Sequence, residues 1–283
     1  MLFRDSCVVD VLQSSERVYG VTSLHGNLFV LRADCIDVYT TTFDHTRLDR
    51  WRVDGLQGHE WNDLTSSVLH NCLYVADCAK KLIRAVELGG SIREWVVPDC
   101  PCGVSVTPDD TLLVMCADTH QLLELGLDLG DWLRRVDLSS DIQRPLHAVK
   151  LTTGHYMVSH SSARGLPGQH RVCVVDSTGS ILHCYGAQSG SGMGQLDWPC
   201  HMAMDKDELM FVADSSNNRI VLLSPAMQLI REYVGFLRHP RRLHLERATR
   251  CLYVGDFGGR VVVIQLNDGT PLYCPRVRML AAH

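Results

Sequence analysis

The 283-residue sequence has no hydrophobic run long enough to cross a membrane. Its most apolar stretches, such as 261–264, have the length of a β-strand, whereas a membrane-spanning helix needs roughly 18 consecutive apolar residues. The first residues do not follow the pattern of a signal peptide, because Asp5 interrupts the apolar stretch and no small-residue cleavage site follows. We therefore expect a protein outside the membrane, located in the cytoplasm.

The sequence also lacks an excess of positive charge and the common catalytic motifs. It contains 27 lysines and arginines against 32 aspartates and glutamates, a net charge of −5. This balance excludes a chain that coats nucleic acid over its whole surface, but it allows a local basic patch. Neither Gly-x-Ser-x-Gly nor His-Glu-x-x-His occurs, and the glycine-rich run 186–194 lacks the spacing of a dinucleotide-binding loop.

Cysteine, in contrast, is abundant, with twelve residues. A chain of this length can bury roughly three-quarters of its surface, so it needs no disulfide to hold a core. Many of the cysteines lie inside apolar segments, which favours reduced, buried thiols over a secreted disulfide framework; examples are Cys72, Cys116, Cys173 and Cys251. Cys100 and Cys102 are too close in sequence for a Cys-x-x-Cys redox motif.

One unit recurs six times along the chain. Each copy contains an apolar triplet that ends in valine, and successive valines are 39 to 54 residues apart; they are Val30, Val75, Val114, Val158, Val212 and Val254. Runs of strand length and β-rich composition follow each triplet, and none is long enough for a helix. A repeat of this period built from strands predicts an all-β, six-bladed β-propeller with four antiparallel strands per blade.

The repeat also predicts a single domain over residues 1–283. Several first strands begin at a proline, where the missing N–H costs least: Pro101, Pro145, Pro199 and Pro240. The predicted blades are approximately 17–53, 63–97, 101–138, 145–186, 197–235 and 239–283. Residues 6–12 are predicted to close the ring as the outer strand of the last blade, with a loose N-terminal arm as the alternative.

The segment 186–220 resembles the NHL repeat, with its glycine-rich loop, Trp198-Pro199, and the Phe-Val-Ala-Asp and Asn-x-Arg elements that end at Arg219. Blades two and six keep part of this pattern, whereas His160 replaces the aspartate in blade four. The resemblance implies an NHL-type propeller, as in animal tripartite-motif proteins, that acts as a platform for protein or RNA. No zinc-ligand series precedes the repeat here, so a ubiquitin-ligase role would need further domains or partners.

In propellers of this kind the first strand of each blade starts at one face, here called the upper face, and runs along the central channel. Loops between blades, and loops joining second to third strands, form that face. Alignment of the repeats predicts a set of ligand-binding residues there: Tyr19, His147, Trp198, His201, Arg219, His239, Arg241 and Arg242. We expect the arginines to anchor a ligand electrostatically and the aromatic residues and histidines to contact or stack on it.

Two binding functions follow. The favoured hypothesis is a monomeric, non-enzymatic scaffold that recognises a peptide or protein partner on the upper face. The alternative is single-stranded or stem-loop RNA, held by a basic upper face that includes Arg164 and Arg171, with Trp61 and Trp198 as stacking planes. The alternative for several of these residues is a purely structural role. In that case the tryptophans pack between blades, Asn217 and Arg219 link loops, and the aspartates of the repeat cap turns.

A third hypothesis is a metal-dependent lyase or hydrolase in the channel. In the peptidyl-amidating lyases, whose repeat is similar, histidines directly after the first-strand proline in alternate blades hold zinc. The matching positions here are Cys102, Cys200 and Tyr19, a poor zinc set. His147 and His201 are expected to be packed or surface groups, and the first strands supply almost no carboxylates for calcium. We therefore expect no catalytic residue, no metal and no cofactor.

Overall fold

The structure is a computed structural model that describes residues 7–42, 44–56, 62–162 and 168–266. These residues form 24 strands and no helix, which confirms the all-β prediction. Within this part of the chain no helix is long and apolar enough to cross a membrane. Four predictions concern residues outside the described ranges: residue 6 of the closing strand, Trp61, Arg164, and the end of blade six from residue 267 onward.

The strands form six separate sheets of four antiparallel strands each. Blades one and two contain β2 (Gly20–Leu24), β3 (Asn27–Leu31), β4 (Cys35–Thr40), β5 (Arg47–Arg52), β6 (Asp63–Ser67), β7 (Cys72–Asp77), β8 (Leu82–Glu87) and β9 (Ile92–Val96). Blades three and four contain β10 (Pro101–Val106), β11 (Thr111–Cys116), β12 (Gln121–Gly126), β13 (Trp132–Asp137), β14 (Pro145–Lys150), β15 (Tyr156–His160), β16 (Gln169–Val175) and β17 (Ile181–Gln188). Blades five and six contain β18 (Pro199–Met204), β19 (Met210–Asp214), β20 (Arg219–Leu223), β21 (Leu229–Tyr233), β22 (Pro240–Glu246), β23 (Cys251–Asp256), β24 (Val261–Gln265) and the N-terminal β1 (Cys7–Leu12).

The first strands of the six blades surround a central channel, each packed against the first strands of its two neighbours. The second strands are buried along all or nearly all of their length, completely so in β7 and β19, because blades cover both of their faces. Outer strands such as β9 alternate between exposed and half-buried residues. The predicted six-bladed propeller is thus confirmed, and its hydrophobic core consists of layers between neighbouring blades.

The ring closes through the N-terminal strand. β1 pairs antiparallel with β24 and so becomes the outermost strand of blade six. Asp10 on β1 also reaches blade one, where its Oδ2 lies 2.8 Å from Nδ1 of His45, and both side chains are buried. The first and last blades are therefore joined by a strand and by a buried polar contact.

The aspartates that end the second strands have the structural role expected of them. Asp77 Oδ1 accepts the N–H of Lys80 in the following turn, and its Oδ2 pairs with Arg84. Asp214 pairs in the same way with Arg219 on the next strand, and Asp256 pairs with Arg260, directly before the next strand. In blade four, Nε2 of His160 accepts a hydrogen bond from Nε of Arg171, so an arginine partner is retained although the aspartate is not.

The expectation of reduced cysteines is confirmed for six residues and wrong for four. Cys35, Cys72, Cys102, Cys116, Cys200 and Cys251 are free and buried. Cys78 and Cys100 form a disulfide between blades two and three, and Cys173 and Cys184 form a second one. Cys173 and Cys184 lie directly opposite each other on β16 and β17, with Cα atoms 4.1 Å apart. The register of this hairpin therefore brings the two cysteines together.

Candidate functional site

Six equivalent positions form one layer around the channel near its upper end. In every blade, one residue of the first strand pairs with the repeat's valine on the second strand. The residue of the layer comes directly before it in the sequence. The layer consists of Gly20, Asp63, Gly103, His147, His201 and Arg242. Two positions are thus glycine, and the other four carry a carboxylate, two imidazoles and a guanidinium, all at least nine-tenths buried.

Asp63 connects opposite sides of the channel. Its Oδ2 accepts the N–H of Val104 at 3.0 Å and lies 3.2 Å from Nε2 of His201, which belongs to the blade opposite in the ring. Burial alone would raise the pKa of Asp63, but the contact with His201 and the positive charge of Arg242 outweigh it and hold that pKa well below its usual range. The carboxylate is therefore ionised, and its contact with His201 closes the upper end of the channel.

Arg242 fixes the layer to the surrounding backbone. Its Nε donates to the carbonyl of Tyr19 at 2.8 Å, and Nη2 donates to the carbonyl of Asn62 at 2.7 Å. The same Nε lies 3.4 Å from Oδ1 of Asp63. Because its donors reach blades one and two from blade six, Arg242 spans the upper end of the channel and holds the backbone of Asn62, next to Asp63, in place.

The two histidines of the layer are stacked, with ring centroids 3.7 Å apart. Nδ1 of His201 accepts the N–H of Leu243 at 3.4 Å, so Nε2 carries the proton and donates to Asp63. Nε2 of His147 lies 3.9 Å from Oδ2 of Asp63, and neither ring nitrogen of His147 has a hydrogen-bond partner among the described residues. Burial and the adjacent His201 lower the pKa of His147 well below its ordinary value, so this ring is neutral.

The glycines make room for this cluster. A Cβ at Gly103 would lie 2.6 Å from the carbonyl oxygen of Leu146 and 3.0 Å from Cα of His147. A Cβ at Gly20 would lie 2.7 Å from the backbone nitrogen of Leu64, next to Asp63. Glycine at both positions lets neighbouring blades approach closely enough to bring the four polar side chains together.

Below this layer the channel widens into a cavity of about 810 Å³. The hairpins that join first and second strands form its mouth, on the face that we call the lower face, and His147 and His201 line its closed end. Hydroxyl groups are concentrated on the channel wall and belong to Thr22, Ser23, Thr65, Ser66, Ser67, Ser105 and Thr107. The exposed side chains of Val68 and Leu69 add an apolar lip at the mouth.

A second polar group lies on the wall of this cavity. Oγ of Ser23 contacts Nε2 of His244 at 2.8 Å and also donates to a carboxylate oxygen of Glu246. Since the serine proton goes to Glu246, Nε2 of His244 is the donor in the first contact. Burial lowers the pKa of His244 to about 4, and the wall therefore offers a neutral imidazole, a hydroxyl and a carboxylate together.

The upper face holds the remaining predicted residues, but in other surroundings. Trp198 is buried against His170, with the guanidinium of Arg144 5.6 Å from its ring. Arg219 is buried and pairs with Asp214 and Glu232. Arg241 lies over the ring of Phe257 at 5.2 Å, Tyr19 is half-buried, and His239 is exposed.

The structure thus brings together three of the eight predicted residues: His147, His201 and Arg242. It adds Asp63, which the sequence analysis did not select because blade two has no proline at the start of its first strand. A signal was present, since each residue of the layer precedes its blade's valine by 10 to 12 residues. Both histidines are packed, as expected, yet they face the channel beside a carboxylate.

A smaller cavity of about 420 Å³ lies at the upper face. It is lined by the Cys78–Cys100 disulfide and by loop residues of blades three and four, including Asp118, His120 and Arg144.

The sequence matches no protein-family model, and no curated protein is similar to it in sequence. The resemblance to the NHL repeat therefore has no support from a family match. Solved structures share the fold. Virginiamycin B lyase from Staphylococcus aureus has a TM-score of 0.64 at 11% identity, over 91% of this chain and 99% of that chain.

Two further solved structures are similar over most of their length. A catalytically inactive histidine-to-alanine variant of the S. aureus lyase, solved with quinupristin, has a TM-score of 0.62 at 11% identity, over 91% of this chain and 99% of that chain. Hydrazine synthase from Kuenenia stuttgartiensis has a TM-score of 0.63 at 13% identity, over 90% of this chain and 97% of that chain. At these identities the similarity shows the fold alone.

Proposed function

We propose that this propeller binds a small polar molecule in its central channel, entering from the lower face. One observation carries the proposal: the cavity of about 810 Å³ ends at His147, a buried imidazole whose two nitrogens have no hydrogen-bond partner among the described residues. A buried polar group without a partner is unfavourable, and a ligand that supplies one gains that interaction. The volume is within the range of small-molecule sites.

The wall of the cavity supports a polar ligand with several hydrogen-bonding groups. Ser23, His244 and Glu246 present a donor and acceptor group on one side, and further hydroxyls surround the channel. The apolar lip of Val68 and Leu69 suits a ligand whose outer part is less polar. A binding role is retained from the sequence analysis, with the ligand site at the opposite face.

The proposal is tested by blocking the channel. The full chain is incubated with the small-molecule extract of its source cells and separated by ultrafiltration, and the bound compounds are released and identified by mass spectrometry. Thr65→Trp places a large side chain in the channel and is expected to reduce the recovered compound at least tenfold. Thr119→Trp, on the exposed upper face, is the matched control and is expected to recover as much as the unchanged protein.

Two results would contradict the proposal. One is that no compound is enriched relative to a control protein. The other is that Thr65→Trp recovers as much compound as the unchanged protein while its circular dichroism spectrum shows that it is folded.

A second candidate function is the binding of a peptide or protein by an NHL-type upper face. It is favoured by the cavity of about 420 Å³ beside Arg144 and by the exposed Arg238 and His239. In that case Thr119→Trp, rather than Thr65→Trp, is expected to abolish capture of the partner. RNA binding at this face would depend on the same exposed groups, because Arg219 and Arg242 are buried in contacts with protein. A steep dependence of affinity on salt would distinguish RNA from a protein partner.

The third hypothesis, a lyase or hydrolase, uses the same channel as the favoured proposal. Its support is that similar propellers include a lyase inactivated by loss of a histidine, and that this chain places His147, His201 and His244 along its channel. Turnover of a compound recovered in the extract experiment would favour it over simple binding.

A further inference from the structure

The donor atoms at the closed end of the channel have the spacing of a metal site. Oδ2 of Asp63 lies 3.2 Å from Nε2 of His201 and 3.9 Å from Nε2 of His147, and the three side chains offer ligand atoms within 4.8 Å of one another. Ligands about 2.0–2.1 Å from a tetrahedral zinc ion lie about 3.4 Å apart, so only small movements are needed to bring these atoms into coordination.

His147 gives an independent reason to expect a ligand at this position. It is 1% exposed, and neither of its nitrogens has a hydrogen-bond partner among the described residues. A ring nitrogen without a hydrogen-bond partner is available to coordinate a metal. Both His147 and His201 line the cavity, so a fourth coordination position would be open to the channel.

Two features oppose a metal ion and limit its identity. Nε of Arg242 lies 3.4 Å from Oδ1 of Asp63, and its positive charge disfavours any cation nearby. This contact involves Oδ1, so Oδ2 is still available to a metal. His201 would have to move its proton to Nδ1, giving up the long 3.4 Å hydrogen bond from Leu243. Only metals that bind imidazole strongly overcome these costs, which favours Zn²⁺ and similar transition metals over Mg²⁺ or Ca²⁺.

We propose that Asp63, His147 and His201 hold a transition-metal ion of the Zn²⁺ class as a three-ligand site, with its open position facing the channel. Three protein ligands and one open position are typical of zinc sites that act on or bind a further molecule. The inference deepens the proposed function, since the open position is where a polar group of the channel ligand would bind. Arg242, which lies beside the other carboxylate oxygen of Asp63, would then orient this carboxylate towards the metal.

The test uses the full chain, freed of metal with a chelator and titrated first with Co²⁺ and then with Zn²⁺. We expect one Co²⁺ per chain with the visible absorption of tetrahedral cobalt, displaced by one equivalent of Zn²⁺. His147→Gln, His201→Gln and Asp63→Asn are each expected to weaken binding at least tenfold. His183→Gln, an exposed histidine on an outer strand, is the matched control and is expected to bind as the unchanged protein does.

X-ray absorption of the zinc-loaded, unchanged protein keeps the test decisive if the variants do not fold. Two imidazoles with oxygen ligands and no sulfur are expected. The proposal is overturned by sulfur ligands, by the absence of stoichiometric binding, or by undiminished binding in folded His147→Gln. Because the titration contains no channel ligand, its failure leaves the proposed binding of a small molecule standing, and the extract experiment can fail while metal still binds.

Discussion

At the scale of single residues, the upper end of the channel is built from buried polar side chains. Each of them offsets the unfavourable free energy of burying its neighbours by supplying a hydrogen bond or an opposite charge. Asp63 is an ionised carboxylate with no exposed surface, and it is tolerated because Val104, His201 and Arg242 surround it with donors and positive charge. Removing one member of such a buried group leaves the others without a counterpart, which costs more than the interaction itself contributes. The same logic explains why the neighbouring glycines matter, since they determine how closely these groups approach.

Gly103→Ala is expected to destabilise the protein by about 1–3 kcal/mol, the usual range for overpacking. Its Cβ would meet the Leu146 carbonyl and the backbone of His147, so blades three and four would have to separate. Urea unfolding measures the effect. Gly89→Ala is the matched control, because nothing lies within 4 Å of its added Cβ, and we expect it to be neutral or slightly stabilising. Equal effects of the two substitutions would contradict the close packing of these blades.

At the scale of strands, the sequence predicted most of the architecture. Apolar triplets and their spacing located the second strands, since these are buried on both faces and carry a continuous hydrophobic signal. The start of blade two was harder to place, because β6 lacks the proline that marks four other first strands. Asp63 was overlooked for that reason. The Cys78–Cys100 pair was beyond prediction, because it depends on how two blades dock rather than on either blade alone.

The N-terminal strand carries a prediction about ring closure. Asp10→Ala would leave Nδ1 of the buried His45 without its 2.8 Å partner, and we expect the free energy of unfolding to fall by about 2 kcal/mol. A double-mutant cycle with His45→Gln, measured by urea unfolding, should give a coupling of about 0.5–3 kcal/mol. Asp207→Ala, which removes an exposed ion pair with Lys206, is the control and should change stability little. A coupling of zero would show that the contact does not hold blades six and one together.

At the scale of the whole molecule, buried histidines are expected to make stability depend on pH. Burial lowers the pKa of His160 and of His244 to about 4, and the pKa of His147 is also lowered. In the unfolded chain these groups titrate near 6.5, at about the ordinary value for histidine. As pH falls from 6.5 towards 4, the unfolded state binds protons that the folded state does not. The free energy of unfolding should therefore decrease, by up to about 1.4 kcal/mol per pH unit for each histidine.

Urea unfolding at several pH values between 4 and 7 checks this expectation. His160→Gln should make the dependence on pH shallower, because one buried histidine no longer takes up a proton on unfolding. His183→Gln, an exposed position, is the control and should leave the slope unchanged. A stability that does not vary over this range would mean that these imidazoles are not kept neutral by the fold.

The contact between Asp63 and His201 determines how a ligand would enter and leave the cavity. Among the residues that the structure describes, it blocks the channel above the cavity, so that the cavity is a pocket that opens on the lower face rather than a tunnel through the ring. A molecule held at the bottom must leave by the way it came, so the next cannot arrive until the first has departed. A long ligand would enter end first, with only its leading group reaching the histidines and the rest projecting past Val68 and Leu69.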